Sequence, residues 1–175
     1  MTLIELLVAM AIAASVLSIG VAPLSAIVKS LQIRAVADSF LEALYLARSE
    51  AIKRGSRVVV CKSTDGFTCS SLGGWDQGWI IFHDVNNDGV HQTSEEVMLN
   101  YKASATAAVH AFGNGNVNKY ISYTHLGTAE LTSGAFQAGT VTICPLFGQT
   151  GDARQIVINA TGRARFIRAN AQVCF

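Results

Sequence analysis

Leu6-Leu7-Val8-Ala9-Met10-Ala11-Ile12-Ala13-Ala14-Ser15-Val16-Leu17-Ser18-Ile19-Gly20-Val21-Ala22-Pro23-Leu24-Ser25-Ala26-Ile27-Val28 is a run of 23 residues without a charge, directly preceded by the carboxylate of Glu5. As a helix rising about 1.5 Å per residue it is about 34 Å long, against a bilayer hydrocarbon core of roughly 30 Å. Residues 1–28 therefore read as a single-pass anchor. A carboxylate at the lip of such a segment is costly in lipid without a cationic partner. The nearest unclaimed cation is a chain N-terminus, its own or a neighbour's.

The helical pattern continues past the anchor. Ile33, Val36, Phe40, Leu44, Ala47 and Ala51 recur at steps of three and four as one apolar stripe, with Arg34, Asp38, Glu42 and Arg48 falling away from it. Lys53 and Arg54 sit in the last turn, and Gly55 follows as a C′ residue. One helix from Thr2 to Arg54 would be roughly 80 Å long, kinked or locally melted at Gly20 and Pro23.

Beyond Gly55 the helical period stops. Arg57–Lys62, Gly78–His83, Glu96–Tyr101, Lys119–Tyr123, Thr140–Cys144, Gln155–Asn159 and Arg163–Arg168 read as short strands. Turn signals separate them at Gly73-Gly74, Asn87-Asp88-Gly89, Asn114-Gly115, Gly134 and Gly148. The expected architecture is α+β, a long N-terminal helix packed on antiparallel sheet, with residues 29–175 (helix half 29–54 included) forming one globular domain.

Half of the 175 residues are hydrophobic, 14% are charged and the net charge is +1, which excludes a disordered tail and favours no polyanion by itself. The distribution is polarised. Residues 63–101 hold Asp65, Asp76, Asp84, Asp88, Glu95 and Glu96 and no Lys or Arg. Residues 131–175 hold Arg154, Arg163, Arg165 and Arg168 against the single acid Asp152. Cys61, Cys69, Cys144 and Cys174 allow three disulfide pairings. Cys61–Cys69 with Cys144–Cys174 is favoured, since the first closes a short loop containing Gly66 and the second ties the C-terminus to an inner strand. Zinc would need a C-x2-C pair or a Cys/His cluster, and the chain has neither.

Two constellations carry chemistry. Gln155–Asn159 runs through Ala160-Thr161-Gly162 into Arg163-Ala164-Arg165-Phe166-Ile167-Arg168, a hairpin whose loop ends in a glycine suited to the left-handed conformation. A strand period of two puts Arg163 and Arg165 on one face about 7 Å apart, a spacing at which two guanidiniums reach neighbouring phosphates. Arg168 and Arg154 join this candidate site by charge proximity. The competing reading is that exposed arginines keep an edge hairpin soluble and unpaired. The second constellation is Asp84, Asn86, Asp88, Gly89 and Glu95, which fit the D-x-N-x-D-G-x5-E spacing of a calcium loop. The segment lies between two strands, where the same residues build an ordinary turn. His83, His91, His110 and His125 are scattered and no nucleophile signature is present, so the chain does not read as an enzyme and calcium is its one candidate cofactor.

Thr2-Leu3-Ile4-Glu5-Leu6-Leu7-Val8, with Pro23 further on, resembles the mature N-terminus of type IV pilin-like proteins. In that family a prepilin peptidase removes a basic leader, the new N-terminal residue is methylated, and the glutamate neutralises the N-terminal amine of an adjacent subunit. The family usually opens on Phe where this chain has Met1, so either Met1 is the mature end or a leader precedes it. Ala47-Arg48-Ser49-Glu50-Ala51, Arg54-Gly55, Trp75 with Gly78-Trp79-Ile80-Ile81-Phe82, and Asp84-Val85-Asn86-Asn87-Asp88-Gly89 are similar to the FimT/GspH group of minor pilins and pseudopilins. The likeness runs from Thr2 to Cys174. In the FimT branch a C-terminal G-R-x-R element binds DNA during natural transformation, and Gly162-Arg163-Ala164-Arg165 matches it letter for letter.

The resemblance implies a type IV pilin-like fold, an inner-membrane anchor with a periplasmic domain, and assembly with other major and minor pilins into an extracellular pilus. It implies Glu5 and Met1 as assembly residues and DNA as the partner of the arginine hairpin. The alternative is a structural minor pilin, or a GspH-like pseudopilin of type II secretion, without DNA binding.

Overall fold

The computed structural model of the chain describes residues 2–102, 109–146 and 152–174, the side chains of 16–26 and 171 excepted. Met1, Gly148 and the side chain of Pro23 lie outside the described residues.

One helix, α1, spans Leu3–Arg54, 52 residues. Thr2 caps its N-terminus. The Thr2 hydroxyl accepts the Glu5 N–H at 3.4 Å, and the Glu5 carboxylate accepts the Thr2 N–H at 2.7 Å, the reciprocal pair of a capping box. Within this chain, then, the glutamate serves its own helix end. At the other end Gly55 adopts φ 65° and its N–H reaches back to Ala51 and Ile52, with Lys53 and Arg54 in the last turn. The helix is assigned without interruption through 20–23, so no melting occurs there. Among the described residues no helix is long and apolar enough to cross a membrane. The expected anchor includes 16–26, whose side chains are outside that set.

The stripe read from the sequence is the buried face: Ile33, Val36, Phe40, Leu44, Ala47 and Ala51 are all buried, with Ala37 and Ala43 filling the spaces between them. This face packs on two antiparallel four-stranded sheets. The strands are β1 (Val58–Lys62), β2 (Gly78–His83), β3 (Val97–Lys102), β4 (Val109–Gly113), β5 (Tyr120–Tyr123), β6 (Gly139–Pro145), β7 (Ala153–Ile158) and β8 (Ala164–Ala169). Sheet one has the order β3-β2-β1-β5 and sheet two β4-β6-β7-β8. The sequence signals missed β4, a five-residue strand with a small residue at its centre that follows the run Ala103–Ala108.

Phe40 joins the layers, meeting Trp75 and Trp79 edge-on at centroid separations of 4.9 and 5.0 Å. Trp79 stacks on Tyr101 at 3.9 Å, and Trp75 donates its indole N–H to the Val117 carbonyl at 3.1 Å. Both tryptophans are core residues, and truncating Phe40 to alanine should cost about 3–5 kcal/mol. A second cluster of Val59, Cys61, Ile80 and Phe82 covers the opposite face of sheet one, so β1 is buried on both sides. The disulfides are Cys61–Cys69, which joins this outer cluster, and Cys144–Cys174, which pins the short 3-10 turn Ala171–Cys174 to β6.

Candidate nucleic-acid interface

The arginine hairpin is β7, a turn, and β8, which is the edge strand of sheet two. Asn159 organises the turn. Its backbone N–H donates to Arg163 O at 3.1 Å, its side-chain oxygen accepts the Arg163 N–H at 2.9 Å and the Thr161 hydroxyl at 2.8 Å, and its carbonyl accepts the Gly162 N–H at 2.9 Å. Gly162 takes φ 76°, the left-handed conformation expected of it. Arg163 lies at the mouth of the turn, since β8 begins one residue later than predicted.

Register decides which arginines act together. Ile158 faces Ala164 and Ile156 faces Phe166, and these four point toward the core. Directly opposed residues in an antiparallel pair share a face. Arg165, opposite Val157, therefore points outward, and Arg163 is exposed beside it. Val157, Asn159, Arg163, Ala164 and Arg165 line an open depression of about 410 Å³. Among the described residues no carboxylate pairs with Arg163, Arg165 or Arg168, although the chain forms ion pairs elsewhere, as in Glu50–Arg54–Glu96.

Arg154 and Arg168 oppose each other on the other face of the sheet. Arg154 is 7% exposed, and its guanidinium lies over the Phe166 ring at 5.1 Å. The charge-proximity grouping thus does not hold: Arg163 and Arg165 are brought together, while Arg168 is exposed behind them and Arg154 is a packing residue. A cleft of about 470 Å³ beside Gly55 also contains an arginine, Arg57. That guanidinium is occupied by Ser122 Oγ at 2.6 Å, the Glu130 carbonyl at 3.0 Å and Asn87 Oδ1 at 3.3 Å.

Two residues the sequence reading passed over hold the hairpin in place. Arg48 on α1 donates from Nε to the Gly127 carbonyl at 2.9 Å and from Nη2 to the Thr161 carbonyl at 3.3 Å. Gly127 belongs to the turn after β5, and its carbonyl lies so close to Gly162 that a β-carbon there would overlap it. Tyr45 adds a hydroxyl bond to the Ala164 carbonyl at 3.2 Å, and Ala129 N–H donates to Ala160 O at 3.3 Å. The spacing contained a signal for Arg48, which is four residues after Leu44 and three before Ala51, on the flank of the buried stripe.

In the acidic loop the carboxylates accept backbone N–H groups. Asp84 is fully buried and accepts the N–H groups of Asp88 at 3.1 Å and Gly89 at 2.9 Å; burial raises its pKa. Glu95 accepts Val85 N–H at 2.9 Å and Gln92 N–H at 3.0 Å, and Asp88 accepts Val90 N–H at 2.8 Å. Asn86 donates to Asp88 at 2.8 Å. The carboxylates are thus taken up as turn acceptors, and no group of three or more His, Cys, Asp or Glu among the described residues is placed to hold a metal ion.

A family profile described as type II transport protein GspH matches residues 36–162. The chain belongs to the GspH family. The matched segment covers the packing half of α1 and seven of the eight strands among the described residues, and it ends at Gly162, immediately before Arg163. The fold is similar to that of the type IV minor pilin FimU of Pseudomonas aeruginosa, with 20% identity, a TM-score of 0.57, and coverage of 77% of this chain and 87% of that one. It is also similar to the minor pseudopilin EpsH of the Vibrio cholerae type 2 secretion system, with 14% identity, a TM-score of 0.53, and coverage of 78% and 96%. At these identities the likeness is one of fold, and the fold is type IV pilin-like. No curated protein matches the sequence.

Proposed function

We propose that this chain is a minor pilin that binds DNA without sequence preference through Arg163 and Arg165, serving DNA uptake in natural transformation. The observation that carries the reading is a pair of outward guanidiniums, free of carboxylate partners among the described residues, on a turn braced from the helix and from the other sheet. Such a pair contacts phosphates and not base edges, so binding is weak, salt-sensitive and indifferent to sequence. In this reading residues 1–28 anchor the chain in the inner membrane and later enter the filament core beside other pilins, with residues 29–175 on the periplasmic side. A prepilin peptidase prepares the N-terminus, and Glu5 meets a neighbour's amine during assembly. The role is non-catalytic.

The test is retardation of duplex DNA by the full-length protein in detergent micelles. Arg163→Ala with Arg165→Ala should abolish the shift, and the wild-type affinity should fall with salt at a log–log slope of about 2. Unchanged retardation in the double variant would overturn the assignment.

A second reading, a structural subunit of a pilus or of a type II secretion system, is favoured by the family description and the likeness to EpsH. There the arginines keep the edge strand β8 from pairing with other chains. The same gel separates the two readings.

A further inference from the structure

We propose that Arg48 is the positioning residue of the arginine hairpin, a brace from the helix that fixes where Arg163 and Arg165 stand; this rests on the DNA-binding reading above. Arg48 is half-buried and makes no ion pair among the described residues. Both of its bonds go to neutral carbonyls, Gly127 O after β5 of sheet one and Thr161 O in the β7–β8 turn of sheet two. An arginine present only for charge would extend into water or toward a carboxylate. This one uses its planar fork to hold two turns from different sheets at a fixed separation, which a lysine ammonium on a flexible stem does not reproduce.

The contact is seated, not incidental. Gly127 O meets Arg48 on one side and Gly162 on the other, with no room for a β-carbon. Ala129 N–H to Ala160 O closes the same junction, and Ile52 lies against Gly127 one helical turn beyond Arg48. Thr161 is itself exposed, so without Arg48 that side of the turn has water as its partner. Two phosphate contacts from adjacent residues give useful affinity only when both guanidiniums are presented together, because each side chain ordered on binding opposes association.

The experiment uses full-length protein in detergent micelles carrying Arg48→Met, Arg48→Lys, or Arg48→Met combined with Arg163→Ala and Arg165→Ala. Duplex DNA retardation is measured across a salt series, and amide exchange at Gly162 and Arg163 is compared with that at Val141 and Ile156 in the core. Arg48→Met and Arg48→Lys should speed exchange at the turn but not in the core, and Arg48→Met should weaken DNA binding about tenfold. The log–log salt slope should become shallower by about one phosphate. In the Arg163→Ala/Arg165→Ala background no retardation should be left for Arg48→Met to weaken. Full affinity in Arg48→Met, beside lost binding in the Arg163/Arg165 double variant, would overturn the positioning role alone. Retardation that survives in the double variant and is then removed by Arg48→Met would also overturn it, by making Arg48 a direct contact. If the double variant binds like wild type, the DNA reading falls and the positioning role falls with it.

Discussion

Gly162 and Gly127 are in backbone contact, the α-carbon of the first against the carbonyl oxygen of the second, although they belong to turns of different sheets. Two demands meet at Gly162, the left-handed φ of 76° and the absence of a side chain.

Gly162→Ala should therefore destabilise the protein by about 2 kcal/mol or more, combining left-handed strain with displacement of the Gly127 turn. Chemical denaturation checks this. DNA retardation should weaken in the same variant, because the turn can no longer rest where it does.

Arg154 and Arg165 should separate stability from binding. Arg165→Ala is a surface change and should leave stability within about 0.5 kcal/mol while reducing DNA affinity. Arg154 buries an Nε with no hydrogen-bond partner. Arg154→Met keeps an apolar stem on Phe166 and removes that cost, so stability should stay level or rise with DNA retardation unchanged. A clear loss of stability in Arg154→Met would contradict this account of the site.

Asp65 gives a pH signature. The Thr68 hydroxyl at 2.6 Å, the Thr68 and Phe67 N–H groups at 2.8 Å and the Ser63 hydroxyl hold its carboxyl well below the usual carboxylate range. A depressed native pKa adds stability above the unfolded value, near 4, that is lost as pH falls. Asp65→Asn should accordingly melt earlier than wild type at pH 7, and the two melting curves should converge as pH drops below about 4. A gap that widens in acid would be the wrong sign.

The Asp84 loop should prove to be a folding element. Asp84→Ala leaves the Gly89 N–H without its acceptor and the Asp88 N–H with Asn86 Oδ1 alone, at 3.2 Å, and should cost about 1–3 kcal/mol. Millimolar calcium or a chelator should leave the wild-type melting temperature where it is. A calcium-dependent rise in melting temperature, lost in Asp84→Ala, would restore the calcium reading.

The helix was legible because its apolar positions recur at the helical period and Gly55 supplies the left-handed cap. Most strands were legible for the same kind of reason, as β-branched runs between glycine turns. β4 was not, because Val109-His110-Ala111 carries too short an alternation to stand out beside an alanine-rich stretch. Arg163 and Arg165 could be paired from spacing alone. Their separation from Arg154 and Arg168 could not, since that depends on cross-strand register, which places Arg154 opposite Arg168 and Arg165 opposite Val157. Arg48 was grouped with the solvent-facing charges although its spacing from Leu44 and Ala51 puts it on the flank of the buried stripe, and periodicity does not report which turn will return to meet it.

The 52-residue helix is continuous from Leu3 to the residue that braces the hairpin and beyond it. On the DNA-binding reading, a tug on Arg163 and Arg165 would pass to the shaft sideways, through Arg48 and Tyr45 as well as through the packed face of the sheet.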